Sequence, residues 1–115
     1  MNIDVSCNTA EWVYDGRKVV IEEHSLHQAI YSRQLNMVVS LCGAEKETKH
    51  ISLYDPNGKK LKGISEPTNC YFNYLGENRG HDVAVMAKTY VSGWVDWWYF
   101  IDVENGELVS LGEGR

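Results

Sequence analysis

Ile51-Ser-Leu-Tyr-Asp-Pro-Asn-Gly-Lys-Lys-Leu-Lys-Gly-Ile64 reads as two strands around a tight turn. Ile51 and Leu53 alternate with His50, Ser52 and Tyr54, which is the period of a strand with two distinct faces. Asp55-Pro56-Asn57-Gly58 supplies the turn, because Asn and Gly tolerate the positive φ that tight hairpins need. The stretch has a twin in pattern, Tyr99-Phe-Ile-Asp-Val-Glu-Asn-Gly-Glu-Leu-Val-Ser-Leu-Gly112, and the two Asn-Gly pairs lie 48 residues apart. A third turn, Asp15-Gly16, separates Trp12–Tyr14 from Lys18–Ile21.

Each long hairpin follows an alternating run, Met37–Cys42 or Asp82–Val91. Before those stand Gln28–Ser32 and Cys70–Leu75, giving two units over residues 28–64 and 70–112. Each unit resembles the four-stranded blade of a β-propeller, whose outer strands are joined by a D-x-x-G-type turn. Two units and an extra hairpin fall short of a ring of four or more blades. The expected fold is therefore all-β: a single domain over residues 1–115, built of antiparallel meandering strands. They form either two blade-like sheets packed face to face, as in a β-sandwich, or one strongly twisted sheet. Ser25-Leu26-His27-Gln28 has the form of a helix capping box, so a short helix at 26–34 competes with the strand that the repeat favours.

Composition bounds the function. The chain has 115 residues, 43% hydrophobic and 23% charged, which suits one soluble domain with a core and excludes a disordered tail or a collagen-like repeat. The longest apolar runs, Val83–Ala87 and Trp97–Ile101, are too short to span a bilayer, so no membrane association is expected. Eleven basic against sixteen acidic side chains leave a net charge of -5, unlike the basic face of a nucleic-acid binder. Lys59, Lys60 and Lys62, with Lys46 and Lys49 nearby, form the main basic cluster, but Glu45 and Glu47 interleave it, and it reads as a solvated hairpin tip. Cys7, Cys42 and Cys70 are odd in number and contain no C-x-x-C, so each reads as a small core residue. With no signal-peptide pattern at the N-terminus, the expected location is the reducing cytoplasm.

Motif chemistry is sparse. His24 and His27 would share a metal only on a helix, and no third ligand has a recognisable spacing. His50 and His81 each open a strand, and either could meet Cys42 or Cys70 in space. The ten glycines form neither a dinucleotide fingerprint nor a P-loop, and Gly112-Glu113-Gly114-Arg115 reads as a frayed end. Asp102 and Glu104 sit at a hairpin rim, where water would keep carboxylates near their ordinary pKa. No catalytic residue, metal or cofactor is expected.

The informative stretch is Trp94-Val-Asp-Trp-Trp-Tyr-Phe-Ile-Asp-Val-Glu-Asn-Gly-Glu107. From Tyr90 to Gly114 there are five acids and no Lys or Arg. On a strand, Trp97, Tyr99, Ile101 and Val103 turn to the core, while Asp96, Trp98, Phe100 and Asp102 take the other face. That second face is either covered by another strand or loop, or it is an interface. As an interface, Trp94, Asp96, Trp98, Phe100, Asp102, Glu104 and Glu107 form an aromatic surface with an acidic rim, suited to a basic protein partner. A small, acidic, aromatic-rich domain without catalytic motifs resembles the immunity proteins of bacterial toxin–immunity systems. The likeness is one of class and composition over the whole chain and carries no residue over. It implies neutralisation of a cognate toxin domain, such as a nuclease, by direct binding. The alternatives are a small-ligand or carbohydrate binder with a concave pocket lined by Trp94 and Trp98, served by Asn69, Asn73 and Asn78, or an enzyme with His50 or His81 beside a Cys or carboxylate.

Overall fold

The computed structural model describes residues 1–44 and 47–114; Glu45 and Lys46 of the basic cluster, and Arg115, lie outside the described residues. Eleven strands follow in order: β1 (Asp4–Val5), β2 (Thr9–Tyr14), β3 (Arg17–Glu22), β4 (Leu26–Ser32), β5 (Met37–Cys42), β6 (His50–Tyr54), β7 (Lys60–Ser65), β8 (Cys70–Asn78), β9 (His81–Tyr90), β10 (Trp94–Asp102) and β11 (Glu107–Glu113). All are paired antiparallel with sequence neighbours, in three sheets ordered β1-β2-β3, β4-β5-β6-β7 and β8-β9-β10-β11.

The two pattern units are thus the two four-stranded meanders, and the three turns are hairpin turns. Asp15 and Gly16 both have positive φ, as a two-residue loop matched to strand twist requires. Residues 26–32 are strand, not helix. The side chain of Gln28, which would close the capping box, instead reaches the next sheet. Its Nε2 donates to Leu75 O (3.2 Å) and its Oε1 accepts from Leu75 N (2.6 Å). A β-bulge between Leu26 and Gln28 resets the alternation there.

The unforeseen feature is a third layer. What reads as an extra hairpin is a sheet of its own, and the middle sheet, β4 to β7, is covered on both faces. Val39, Leu41, Ile51, Leu53 and Ile64 face the third sheet, against Phe72, Leu75, Val83, Val85 and Ile101. Val38, Cys42 and Tyr54 face the first sheet, against Ala10, Trp12 and Ile21. This is why β5 and β6 are buried along almost their whole length. Each fully buried aliphatic side chain contributes about 1.5–3 kcal/mol.

Polar clamps set the spacing of the layers. Trp12 Nε1 donates to Pro56 O at 2.8 Å, pinning the β6–β7 turn beneath the first sheet. Gly58 in that turn has φ +90, and a Cβ there would lie 2.7 Å from Val19 Cγ1. Asp82 bridges the other pair of sheets: its carboxylate accepts from Ser32 Oγ (2.8 Å) and from the backbone N–H groups of Arg33 (2.7 Å) and Gln34 (3.3 Å). Burial raises the pKa of Asp82, but the Ser32 hydroxyl and these N–H groups outweigh it and hold the carboxyl below its ordinary value. The chain end is not frayed through Gly114, whose N–H donates to Asp96 O at 2.8 Å.

Candidate functional site

The stack leaves two end faces, the outer sides of the first and third sheets. The outer side of the third sheet carries the residues that the sequence nominates. Its alternation is as expected: Ile101 is core, and Tyr99 and Val103 pack against that core. Trp97 departs from the expectation; it stays half-buried on the inner strand β10, its Nε1 donating to Ser110 Oγ at 2.6 Å.

The opposite side of β10 divides into buried and open parts. Trp98 is only 7% exposed and forms a small cluster with Ala84, Met86 and Leu111. Its indole meets Tyr74 edge-on, with ring centroids 5.7 Å apart. The covering groups belong to its own sheet face, so Trp98 is a structural centrepiece and not an exposed anchor. Phe100 is half-buried under His81, stacked at 4.6 Å with 7° between the planes. Trp94, by contrast, is 50% exposed. It stands between Tyr71 (55% exposed, 5.3 Å) and Tyr90 (52% exposed, 5.4 Å). The cross-strand pair Trp94↔Tyr90 places two of these rings together, and Tyr71, opposite Lys88, brings the third from β8.

Tyr71, Tyr74 and Tyr90 are not among the residues singled out from the sequence. A signal existed: in Cys70–Leu75 the apolar Cys70 and Phe72 alternate with Tyr71, which places Tyr71 outward. Only the pairing of β8 with β9 brings it to Trp94. The bulge between Phe72 and Tyr74, which turns Tyr74 outward, has no clear sequence mark.

The acids of this face are less uniform than a continuous rim. Asp96 is paired with Lys88 at 2.8 Å, both about half exposed, an interaction worth at most about 1 kcal/mol. Asp102 caps the β10–β11 turn, accepting from Glu104 N (3.1 Å), Asn105 N (3.3 Å) and Asn105 Nδ2 (2.8 Å). The Asn105 side chain and backbone lower the pKa of Asp102, contrary to the expectation that water would keep it ordinary. Glu104 and Glu107 are exposed and form no salt bridge among the described residues. Lys62 lies beside the hairpin tip they flank. A cavity of about 210 Å³ opens beside Trp98, lined by Tyr74, Met86, Asp96, Trp98 and Gly114.

Elsewhere, His24 and His27 do not converge. His24 approaches Glu47 (3.9 Å), while His27 Nε2 bonds the Gly43 carbonyl. Cys7 is exposed and not a core residue; Cys42 and Cys70 are buried. His81 meets Phe100 and no thiol, but His50 does meet Cys42, and both lie with Glu23 in the seam between the first and middle sheets. Lys60 is drawn from the basic hairpin into the same seam, 3.3 Å from Glu23.

No known protein family, curated protein or solved structure matches this chain. No helix is long and apolar enough to cross a membrane.

Proposed function

We propose that the chain is a protein-binding module that neutralises a basic partner, in the manner of a cytoplasmic immunity protein blocking a cognate toxin such as a nuclease. The observation that carries this reading is the open aromatic cluster of Tyr71, Trp94 and Tyr90 on an end face with no covering layer among the described residues. Tyr and Trp are the residue types that most often anchor interfaces, because they bury large area at small entropic cost. The face is long enough to seat a protein, since β10 has nine residues, which at about 3.3 Å each span about 30 Å. A standard interface needs about 800 Å² from each partner.

Charge supports a basic partner. The net charge is -5, and Glu104 and Glu107 project from the same hairpin. Such groups act chiefly on the association rate. Trp94 is the anchor in this reading, Tyr71 and Tyr90 flank it, and Trp98 with Phe100 forms the rigid floor. The alternative of a small-ligand or carbohydrate site has weaker support. The 210 Å³ cavity is smaller than ordinary ligand pockets and its lining includes Trp98 but not Trp94, while the larger hollows of about 550 and 500 Å³ on the first sheet hold none of the residues nominated for a ligand.

A photo-reactive side chain at position 94 of the full chain, expressed in its native cell, should crosslink to a basic polypeptide. The same group at Val13, exposed on the opposite end face, should not. Equal yields at both positions, or no adduct at position 94, would overturn the proposal.

A further inference from the structure

The seam between the first and middle sheets gathers three side chains of different chemistry. Cys42 and His50 are directly opposed across β5 and β6, so their side chains lie on one face of the middle sheet. That face also carries Ser40, Ser52 and Tyr54, residues of strand period two. Glu23 enters from the first sheet, one residue past β3, where its N–H donates to Asn8 O at 2.9 Å. One donor atom from each of Glu23, Cys42 and His50 lies within 4.8 Å of the others.

The carboxylate is oriented. Glu23 Oε1 accepts from the Tyr54 hydroxyl and from Lys60 Nζ (3.3 Å), which leaves Oε2 facing His50 Nε2 at 3.6 Å. A second, independent observation marks the same place. Ser52 Oγ is fully buried beside Glu23 and Tyr54, yet makes no hydrogen bond of normal geometry among the described residues. A buried hydroxyl without a partner is destabilising, so such groups call for an explanation.

We infer that Glu23, Cys42 and His50 form a zinc(II) site that staples the first sheet to the middle sheet. Thiolate, imidazole and carboxylate are the three zinc ligand types. Thiolate and carboxylate together neutralise the dication. Three protein ligands leave a fourth tetrahedral position for water, and the unpartnered Ser52 Oγ is a hydroxyl such a water could satisfy. Tyr54 and Lys60 hold the carboxylate from behind, as outer partners commonly do in metal sites. Binding converts the Cys42 thiol and Zn²⁺ into a Zn–S bond and a proton released to solvent, with no change of oxidation state. A nucleophilic Cys42–His50 pair fits less well, because Cys42 is fully buried.

The test uses the full chain stripped with a chelator, then titrated with cobalt(II) and with zinc chloride. One equivalent of cobalt should give an intense thiolate-to-metal charge-transfer band and the visible bands of a tetrahedral ion, and zinc should displace it. Cys42→Ser should abolish the charge-transfer band, and His50→Gln should weaken zinc binding at least 100-fold. Tyr54→Phe should weaken it about 10–100-fold, the range for loss of an outer partner. Cys7→Ser should leave all of these unchanged. If Cys42→Ser fails to fold, the partly exposed His50→Gln still decides the matter. Absence of the thiolate band in the unmodified chain, or unchanged zinc affinity in His50→Gln, would overturn the assignment.

Discussion

Trp94 and Trp98 lie four residues apart on one strand and one face, yet they should respond oppositely to truncation. Trp98→Ala removes a side chain that is 7% exposed and packed on Ala84, Met86, Leu111 and Tyr74. A buried tryptophan takes about 200 Å² out of water, about 5 kcal/mol at 25 cal/mol per Å². Because this cluster lies on an outer face and can partly collapse, the expected loss is about 3 kcal/mol, at the low end for core Trp→Ala changes. For a chain of this length that lowers Tm by about 12 °C. Trp94→Ala removes a half-exposed ring and should cost less than about 1 kcal/mol. Urea unfolding followed by far-UV circular dichroism, with equal m-values for both variants, separates the two. Equal destabilisation by the two changes, or a loss below about 1 kcal/mol for Trp98→Ala, would refute the division of this face into floor and anchor.

The clamps between layers give further expectations. Asp82→Asn should cost about 2 kcal/mol at neutral pH, since Ser32 and the Arg33 and Gln34 N–H groups lose a charged acceptor. Because the folded-state pKa of Asp82 lies below its ordinary 3.8, its contribution is complete above that pH and vanishes as pH falls through the folded value. The stability gap between the two proteins should therefore narrow as pH falls below 3.8; a gap that stays constant or widens on acidification in urea titrations contradicts this linkage. Gly58→Ala should destabilise by about 1–3 kcal/mol in thermal melts, because φ +90 and the approach of Val19 both oppose a Cβ, and a neutral outcome would contradict the packing of this turn. Glu104→Lys combined with Glu107→Lys should slow association with the partner at low salt and lose that effect at high salt, leaving dissociation nearly unchanged, as read by stopped-flow mixing. Asp102 is unsuitable for such a reversal because it caps its own turn.

Much of the fold was legible because its signals are local. Period-two alternation and turn chemistry act within a few residues, so most of the strands, the three hairpins and the two four-stranded units follow from adjacent side chains, whereas β1 has no such mark. The third layer was not legible. Trp12 and Ile21 mark an apolar face, but nothing beside them says that the face closes on Val38, Cys42 and Tyr54. Gln28 misleads in isolation, since its tie to Leu75 spans 47 residues and its capping-box spacing is then incidental. The site shows the same limit. Alternation placed Asp96, Trp98, Phe100 and Asp102 on one face, but exposure depends on neighbouring strands: Tyr74 and Leu111 cover Trp98, while Tyr71 and Tyr90 leave Trp94 open. The meeting of Glu23 with Cys42 and His50 depends on how two sheets pack, and no spacing in the chain encodes it.

In the proposed function, Trp94 is the anchor on which a basic protein docks at the outer side of the last sheet. Its most direct test is the equilibrium Kd of Trp94→Ala for the partner recovered by crosslinking, compared with the unchanged chain at the same salt. An anchor of about 2 kcal/mol predicts affinity reduced about 30-fold with Tm essentially retained. A Kd within about twofold of the original, in a variant that folds as well, would place the docking surface elsewhere.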